Sequence, residues 1–88
     1  MASVNLSTEH ILTAAQEFES ASKESQELVA NLDKVTEDLK AKWSGSAQQA
    51  FYQHHAEWRM LMRGQVALLG AISGELHALA ARYEKADK

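Results

Sequence analysis

The sequence predicts an all-α fold: a helix-turn-helix hairpin of two long antiparallel helices, in a single domain over residues 1–88. Helical periodicity is the first observation, because apolar or small residues recur at steps of three and four on both sides of residues 43–45. The second is the turn Trp43-Ser44-Gly45, where Gly45 can take the positive φ that ends a helix and reverses the chain. The third is the absence of proline from the 88 residues, which leaves both helices uninterrupted.

Helix 1 is expected over about residues 8–42. Ser7 is a good N-cap, and Glu9 lies in the first turn, where its charge faces the positive end of the helix dipole. The apolar stripe is small near the start of the helix and bulky from Leu28 onward, while the opposite face is charged. This pattern is typical of a helix with one buried face.

Helix 2 is expected over about residues 47–85, with Ser46 as N-cap and Gln49 completing a capping box. Its interior contains three glycines, and each costs roughly 1 kcal/mol relative to alanine. Two explanations are open. A long helix can tolerate them, or Gly70 and Gly74, one turn apart, let another helix approach closely.

Apolar side chains of both helices are predicted to fill the hairpin core and a dimer interface. They are Ile11, Phe18, Leu28, Leu32, Leu39, Phe51, Trp58, Leu61, Leu68, Ile72 and Leu79. A second apolar set lies on flanking faces that a lone hairpin would expose, namely Leu12, Val29, Met60, Met62, Val66 and Leu69. Pairing two hairpins into a four-helix bundle would cover both sets. We therefore expect a dimer, with a homodimer favoured over a heterodimer.

Composition excludes several other classes of protein. The net charge is −3 and the basic residues are scattered, so no nucleic-acid partner is predicted. The chain has no cysteine, which removes disulfides and thiolate metal sites. No apolar run approaches the roughly 18 residues of a membrane span. Residues 1–12 lack the charged and apolar regions of a cleavable signal peptide.

No catalytic constellation is visible, and no enzyme or cofactor is predicted. Folding the chain at the turn brings His10 near His77, and Glu9 and Glu75 could approach them. Imidazole and carboxylate groups are acceptable zinc ligands, but a site needs three or four that converge. We favour ordinary surface histidines over a metal site, and the metal alternative remains open at this stage.

The chain resembles the WXG family. It has about the length of these proteins, and it combines two long predicted helices with Trp-x-Gly at the bend and Tyr-x-x-x-Asp near the end. These small Esx-type proteins, which include the early secreted antigens, are exported by type VII (ESX) secretion systems of Gram-positive bacteria and actinobacteria. The residues that carry the resemblance are Trp43, Gly45, Tyr83 and Asp87. The spacing from Phe51 to Trp58 is also similar to the aromatic spacing after the family's turn.

The resemblance implies an antiparallel four-helix dimer, exported folded and without a cleaved signal. Tyr83 and Asp87 would form the export signal, read by a membrane-associated ATPase of the secretion machinery. Trp43 would lie near the partner's tail and contribute to a composite surface. The implied role is a secreted, non-enzymatic interaction or virulence factor, or a carrier for co-secreted substrates. The alternative is an intracellular helical adaptor that pairs with a partner's amphipathic helices.

Overall fold

The computed structural model describes residues 7–43 and 45–86 and confirms the all-α hairpin. Helix α1 spans Thr8–Lys42 (35 residues) and helix α2 spans Ala47–Ala86 (40 residues). The two run antiparallel in a rod of 65 × 21 × 18 Å. The rod is only one layer of helices thick, so most side chains can be covered on one side at most.

A reciprocal cap between Ser7 and His10 fixes the start of α1. Ser7 is extended (φ −106°, ψ 161°), and its Oγ accepts from the His10 backbone N–H at 3.2 Å. In return, Ser7 N–H donates to Nδ1 of His10 at 3.3 Å. Histidine here takes the place that glutamate or glutamine usually fills in a capping box. The predicted N-cap is confirmed, and Nδ1 of His10 is occupied by it.

The turn between the helices depends on Trp43 and Gly45. Trp43 is extended (φ −106°, ψ 126°), and its N–H donates to the Leu39 carbonyl at 2.9 Å, which closes α1. Gly45 has φ 128°, a backbone conformation that residues other than glycine rarely adopt. At the start of α2, Gln48 N–H donates to the Gly45 carbonyl and Gln49 N–H to the Ser46 carbonyl, each at 3.3 Å. These are backbone bonds, whereas the sequence predicts a side-chain capping box.

Polar contacts between the helices define their register. The contacts are Ser22 Oγ donating to the Val66 carbonyl (3.3 Å), Ser73 Oγ donating to the Ala15 carbonyl (3.0 Å), and Asp33 Oδ1 with His55 Nε2 (3.1 Å). In each pair the residue numbers add to 88, so residue n of α1 lies opposite residue 88 − n of α2. This register places the reversal of the chain within the predicted turn, between the end of α1 and the start of α2.

The row of side chains between the two helices is narrow, and we call it the seam. It comprises Ile11, Ala15, Ser22 and Asp33 of α1 with His55, Met62, Val66, Ser73 and Ala80 of α2. Several members are alanine or serine, which lets the backbones approach closely enough for serine hydroxyls to reach carbonyls on the other helix. The core of the hairpin is therefore small and partly polar.

The seam corrects one expectation from the sequence. Met62 is buried, and Val29, Val66 and Leu69 are half-buried, although all four were expected to remain on exposed flanks. The largest apolar side chains, such as Leu32 and Leu61, would be expected to lie between the helices. Each helix is instead rotated by about one residue, so the positions that follow them face the other helix. They lie in line with small residues such as Ala15 and Ser73, which are buried between the helices. A prediction based on large apolar side chains gives these small residues too little weight.

The glycines inside α2 do not bring α1 closer. A Cβ atom placed on Gly64, Gly70 or Gly74 would meet nothing within 4 Å. Of the two explanations that the sequence leaves open, close approach of α1 therefore does not account for Gly70 and Gly74.

Candidate functional site

The main feature of the hairpin surface is a continuous apolar face, which we call the outer stripe. Its members are Leu28, Leu32, Val35 and Leu39 of α1 with Phe51, Trp58, Leu61, Leu68, Ile72 and Leu79 of α2. Leu61 is 74% exposed, Leu68 62% and Val35 58%. Monomeric proteins rarely expose so many large apolar side chains on one face.

The outer stripe lies on one side of the hairpin because of its offset from the seam. Leu32 directly precedes Asp33, and Leu61 directly precedes Met62, so each is turned by about 100° from the seam. In both helices the stripe residue precedes the seam residue, so the offset has the same rotational sense along α1 and α2. On two antiparallel helices, rotations of the same sense point toward the same side of the pair. The apolar residues of α1 and α2 therefore form one surface.

The outer stripe contains most of the residues that the sequence assigns to core and dimer packing. Within the hairpin only Ile11 of that set is buried, and Phe18, Leu39 and Trp58 are among its half-buried members. The rest are available to a second molecule. By contrast, Leu12 and Met60 lie outside the stripe and are 37% and 73% exposed.

Trp43 anchors a cluster of aromatic rings at the bend. Its ring centroid lies 5.5 Å from that of Phe51 and 6.3 Å from that of Tyr52. The row continues along α2, since His55 stacks on Phe51 at 6.3 Å and on Trp58 at 5.6 Å. Trp43 is half-buried, so it packs the turn against α2 and still presents part of its ring to solvent.

Next to the aromatic cluster, Asp33 joins the two helices. Its Oδ1 lies 3.1 Å from His55 Nε2 and 2.9 Å from Arg59 Nε. The His55 side chain is 15% exposed, against 79% for His54. No function is predicted for His55 from the sequence. The available signal is its position seven residues before Met62, which puts both on the same helix face.

The residues at the C-terminal end of α2 are only partly described. Tyr83 is 37% exposed on the last turns of the helix. Asp87, the other residue of the predicted export signal, lies outside the described residues. Tyr83 lies four residues after Leu79, so it continues the line of the outer stripe toward the end of the rod.

The histidines do not assemble a metal centre in the part of the chain that the structure describes. His10 is engaged in the cap of α1 and His77 is exposed. Among residues 7–43 and 45–86, no group of three or more histidine, aspartate or glutamate side chains could hold a metal ion. Over the same residues, neither helix is long and apolar enough to cross a membrane.

The family model described as proteins of 100 residues with WXG matches residues 3–88. The chain belongs to the WXG100 family. Trp43 and Gly45 are the tryptophan and glycine of the WXG motif in this WXG100 protein. The family consists of small secreted proteins of type VII systems, with a non-enzymatic helical hairpin as its fold and dimers among its members.

Solved structures support the same fold. The secreted protein EsxB from Bacillus anthracis str. Sterne superposes with a TM-score of 0.90 over 100% of both chains, at 24% identity. EsxA from Geobacillus thermodenitrificans gives a TM-score of 0.89 at 28% identity, covering 97% of the WXG100 chain and 92% of its own. No match was found among curated proteins. The similarity extends over the full length of the hairpin.

Proposed function

We propose that this WXG100 protein is exported by a type VII secretion system as a folded antiparallel homodimer and acts outside the cell by binding other proteins. The outer stripe is the observation that carries the proposal, and family membership supports the route of export. A folded cargo of this kind leaves the cell without a cleaved signal peptide. Its role is that of an interaction or virulence factor, or of a carrier for co-secreted substrates.

The accessible area of the hairpin supports a dimer. The hairpin exposes 6926 Å². A compact monomer of 9.7 kDa would expose about 5,100 Å² by the usual scaling of surface with mass. The excess of roughly 1,800 Å² is larger than the ~800 Å² that each partner buries in an interface of standard size. The hairpin therefore has ample surface to bury against a second chain.

The size of the side chains favours an antiparallel arrangement. On the side of α1 that carries the outer stripe, residues near the open end of the hairpin are small, as at Ala14, Ala21 and Ser25. Toward the bend they become bulky, from Leu28 to Val35. An antiparallel dimer places the bulky end of one subunit against the small end of the other, which allows side chains to interdigitate.

A second copy of the same chain fits the outer stripe on electrostatic grounds. The stripe contains no charged residue, so two copies can stack without burying like charges. A related Esx protein with a similar stripe is the other possible occupant. Purification of the chain alone distinguishes them, since a heterodimeric subunit stays monomeric or unfolded until its partner is added.

The export signal in this proposal is the pair Tyr83 and Asp87, read by a membrane-associated ATPase of the secretion machinery. The resemblance to Esx proteins supports this assignment, and the exposure of Tyr83 is compatible with it. In an antiparallel dimer the WXG turn of one subunit, with Trp43 and Gly45, comes near the tail of the other. The ATPase would then read a surface built from both subunits. No catalytic step and no cofactor belong to this function.

A secretion assay tests the proposed route. The protein is expressed in a host with an active type VII system and in a matched strain that lacks the system's ATPase. We expect the protein in the supernatant of the first strain only, with its N-terminus intact by mass spectrometry. Retention in the cytoplasm of both strains, with no lysis, would instead favour the intracellular adaptor.

A further inference from the structure

We infer that the polar contacts of the seam hold the two helices in the rotation that keeps the outer stripe facing outward, ready for a second copy of the chain. This inference rests on the proposed dimer. It concerns how the hairpin is prevented from burying its own dimer surface. The residues involved are Ser22, Asp33 and Ser73, with the groups that they contact on the opposite helix.

Two packings of the hairpin compete in principle. The seam and the outer stripe both follow a helical spacing, and they differ by a rotation of about 100° on each helix. If both helices turned by one residue, Leu32 and Leu61 would face inward while Ser22 and Ser73 would face solvent. A lone hairpin would then bury its largest apolar side chains. The apolar pattern alone favours that packing.

The observed packing is the one that satisfies the polar groups between the helices. Ser22 and Ser73 are 8% and 5% exposed, and each donates to a carbonyl of the opposite helix. Asp33 accepts from His55 and Arg59 at 3.1 and 2.9 Å. These contacts are directional, so they are lost when either helix rotates, whereas apolar contacts can be exchanged for others. They are also spread along α1 from Ala15 to Asp33, about half of that helix, and so oppose rotation at several points and not at one.

The consequence is a hairpin that can bury both faces only by pairing. The seam is covered within the chain, and the outer stripe is covered by the second copy. A rotated hairpin would cover the stripe internally and leave little to pair with. The small, polar seam thus acts as a conformational device that directs the apolar surface toward the dimer.

The test removes the polar contacts without adding bulk. The variant S22A/D33A/S73A loses all three, and T13A/S20A/D38A makes matched changes at exposed positions of α1. Analytical ultracentrifugation gives the dimer dissociation constant of each. We expect the seam variant to dimerise at least about tenfold more weakly than the wild type, because part of its population shifts to the rotated hairpin. The control should match the wild type.

A disulfide then separates rotation from simple loss of stability. The chain has no native cysteine, and Ser73 Oγ lies 3.0 Å from the Ala15 carbonyl. In the S22A/D33A background, A15C/S73C replaces the third contact by a covalent link that holds the seam closed. We expect oxidation to restore the wild-type dissociation constant and reduction to weaken the dimer again.

The outcomes are distinct. A seam variant that dimerises as tightly as the wild type overturns the inference, and so does an oxidised, helical A15C/S73C form that still dimerises weakly. If circular dichroism shows that S22A/D33A/S73A has lost its helices, the oxidised A15C/S73C form is used in its place. A dissociation constant equal to that of the wild type then supports the inference, and a weaker dimer overturns it. A wild-type chain that is itself monomeric at micromolar concentration overturns the proposed dimer first, which is a separate failure.

Discussion

Ser73 on α2 donates its hydroxyl hydrogen to the backbone carbonyl of Ala15 on α1 over 3.0 Å, between residues 58 positions apart in sequence. Both residues are buried. The bond joins the two helices in the half of the hairpin that is far from the turn. It shows that hydrogen bonds as well as apolar contacts hold the hairpin together along its length.

Replacing Ser73 by alanine should therefore destabilise the protein slightly. The Ala15 carbonyl keeps its bond within α1, so only the inter-helix bond is lost, at a cost of about 0.5–1.5 kcal/mol. Urea denaturation followed by circular dichroism measures this difference. Ser20→Ala, at an exposed position of α1, is the matched control and should change stability by less than about 0.5 kcal/mol. Equal effects of the two changes would show that the Ser73 bond contributes nothing.

Alanine at Gly45 and at Gly74 should have opposite effects on stability. Gly45 has φ 128°, so Gly45→Ala strains the turn and should cost about 1–2 kcal/mol. Gly74 lies within α2, and a Cβ there meets nothing within 4 Å in the hairpin. Gly74→Ala should stabilise the protein by up to about 1 kcal/mol. Thermal melts of the two variants measure the change in melting temperature. A higher melting temperature for Gly45→Ala would contradict the turn geometry.

Trp43→Ala should preserve the helices and the dimer. Trp43 packs on Phe51 and Tyr52 at the tip of the rod, away from the middle of the outer stripe. Because the ring is half-buried, truncation should cost about 1–2 kcal/mol, less than the 3–5 kcal/mol of a fully buried tryptophan. We expect export to fall more strongly than stability. A variant that circular dichroism shows to be unfolded at room temperature would make Trp43 a core residue and not a recognition residue.

The sequence predicts the hairpin itself well, for physical reasons. Long runs of helical periodicity without proline leave few alternatives, and a glycine after the bend tryptophan indicates where the chain reverses. The rotation of the helices is harder to predict. Size and spacing assign Leu28, Leu32 and Leu61 to the core, yet in the hairpin they face outward. Which stripe is buried depends on hydrogen bonds and on a second chain, and neither is visible in the spacing of apolar residues.

The polar part of the site is equally hidden from sequence reasoning. Ser22 and Ser73 are of a residue type that occurs mostly on surfaces, and for His55 the available signal is its seven-residue spacing to Met62. His10 likewise caps α1 where a glutamate or glutamine would have been recognised. The roles of Ser22, Ser73 and His55 depend on the register of the two helices, which is fixed only when the chain folds.

Export is expected to depend on Tyr83 and Asp87. Tyr83→Ala or Asp87→Ala should abolish secretion while the variant accumulates in the cell as a folded dimer, because neither residue is a member of the seam or of the outer stripe. Immunoblots of supernatant and cell fractions, with native mass spectrometry of the cellular protein, measure both properties. Glu84→Ala, between the two positions, is the control and should be secreted normally. Normal secretion of the double variant would remove the export role.

The dimer through the outer stripe is the central claim, and one comparison tests it most directly. Leu61 and Met60 are neighbours with nearly equal exposure in the hairpin, 74% and 73%, but only Leu61 belongs to the stripe. Light scattering coupled to size exclusion measures the mass of the wild type, Leu61→Glu and Met60→Glu at micromolar concentration. We predict twice the 9.7 kDa chain mass for the wild type and Met60→Glu, and a marked shift to monomer for Leu61→Glu. A dimeric Leu61→Glu, or a wild type that stays a folded monomer, would contradict the account.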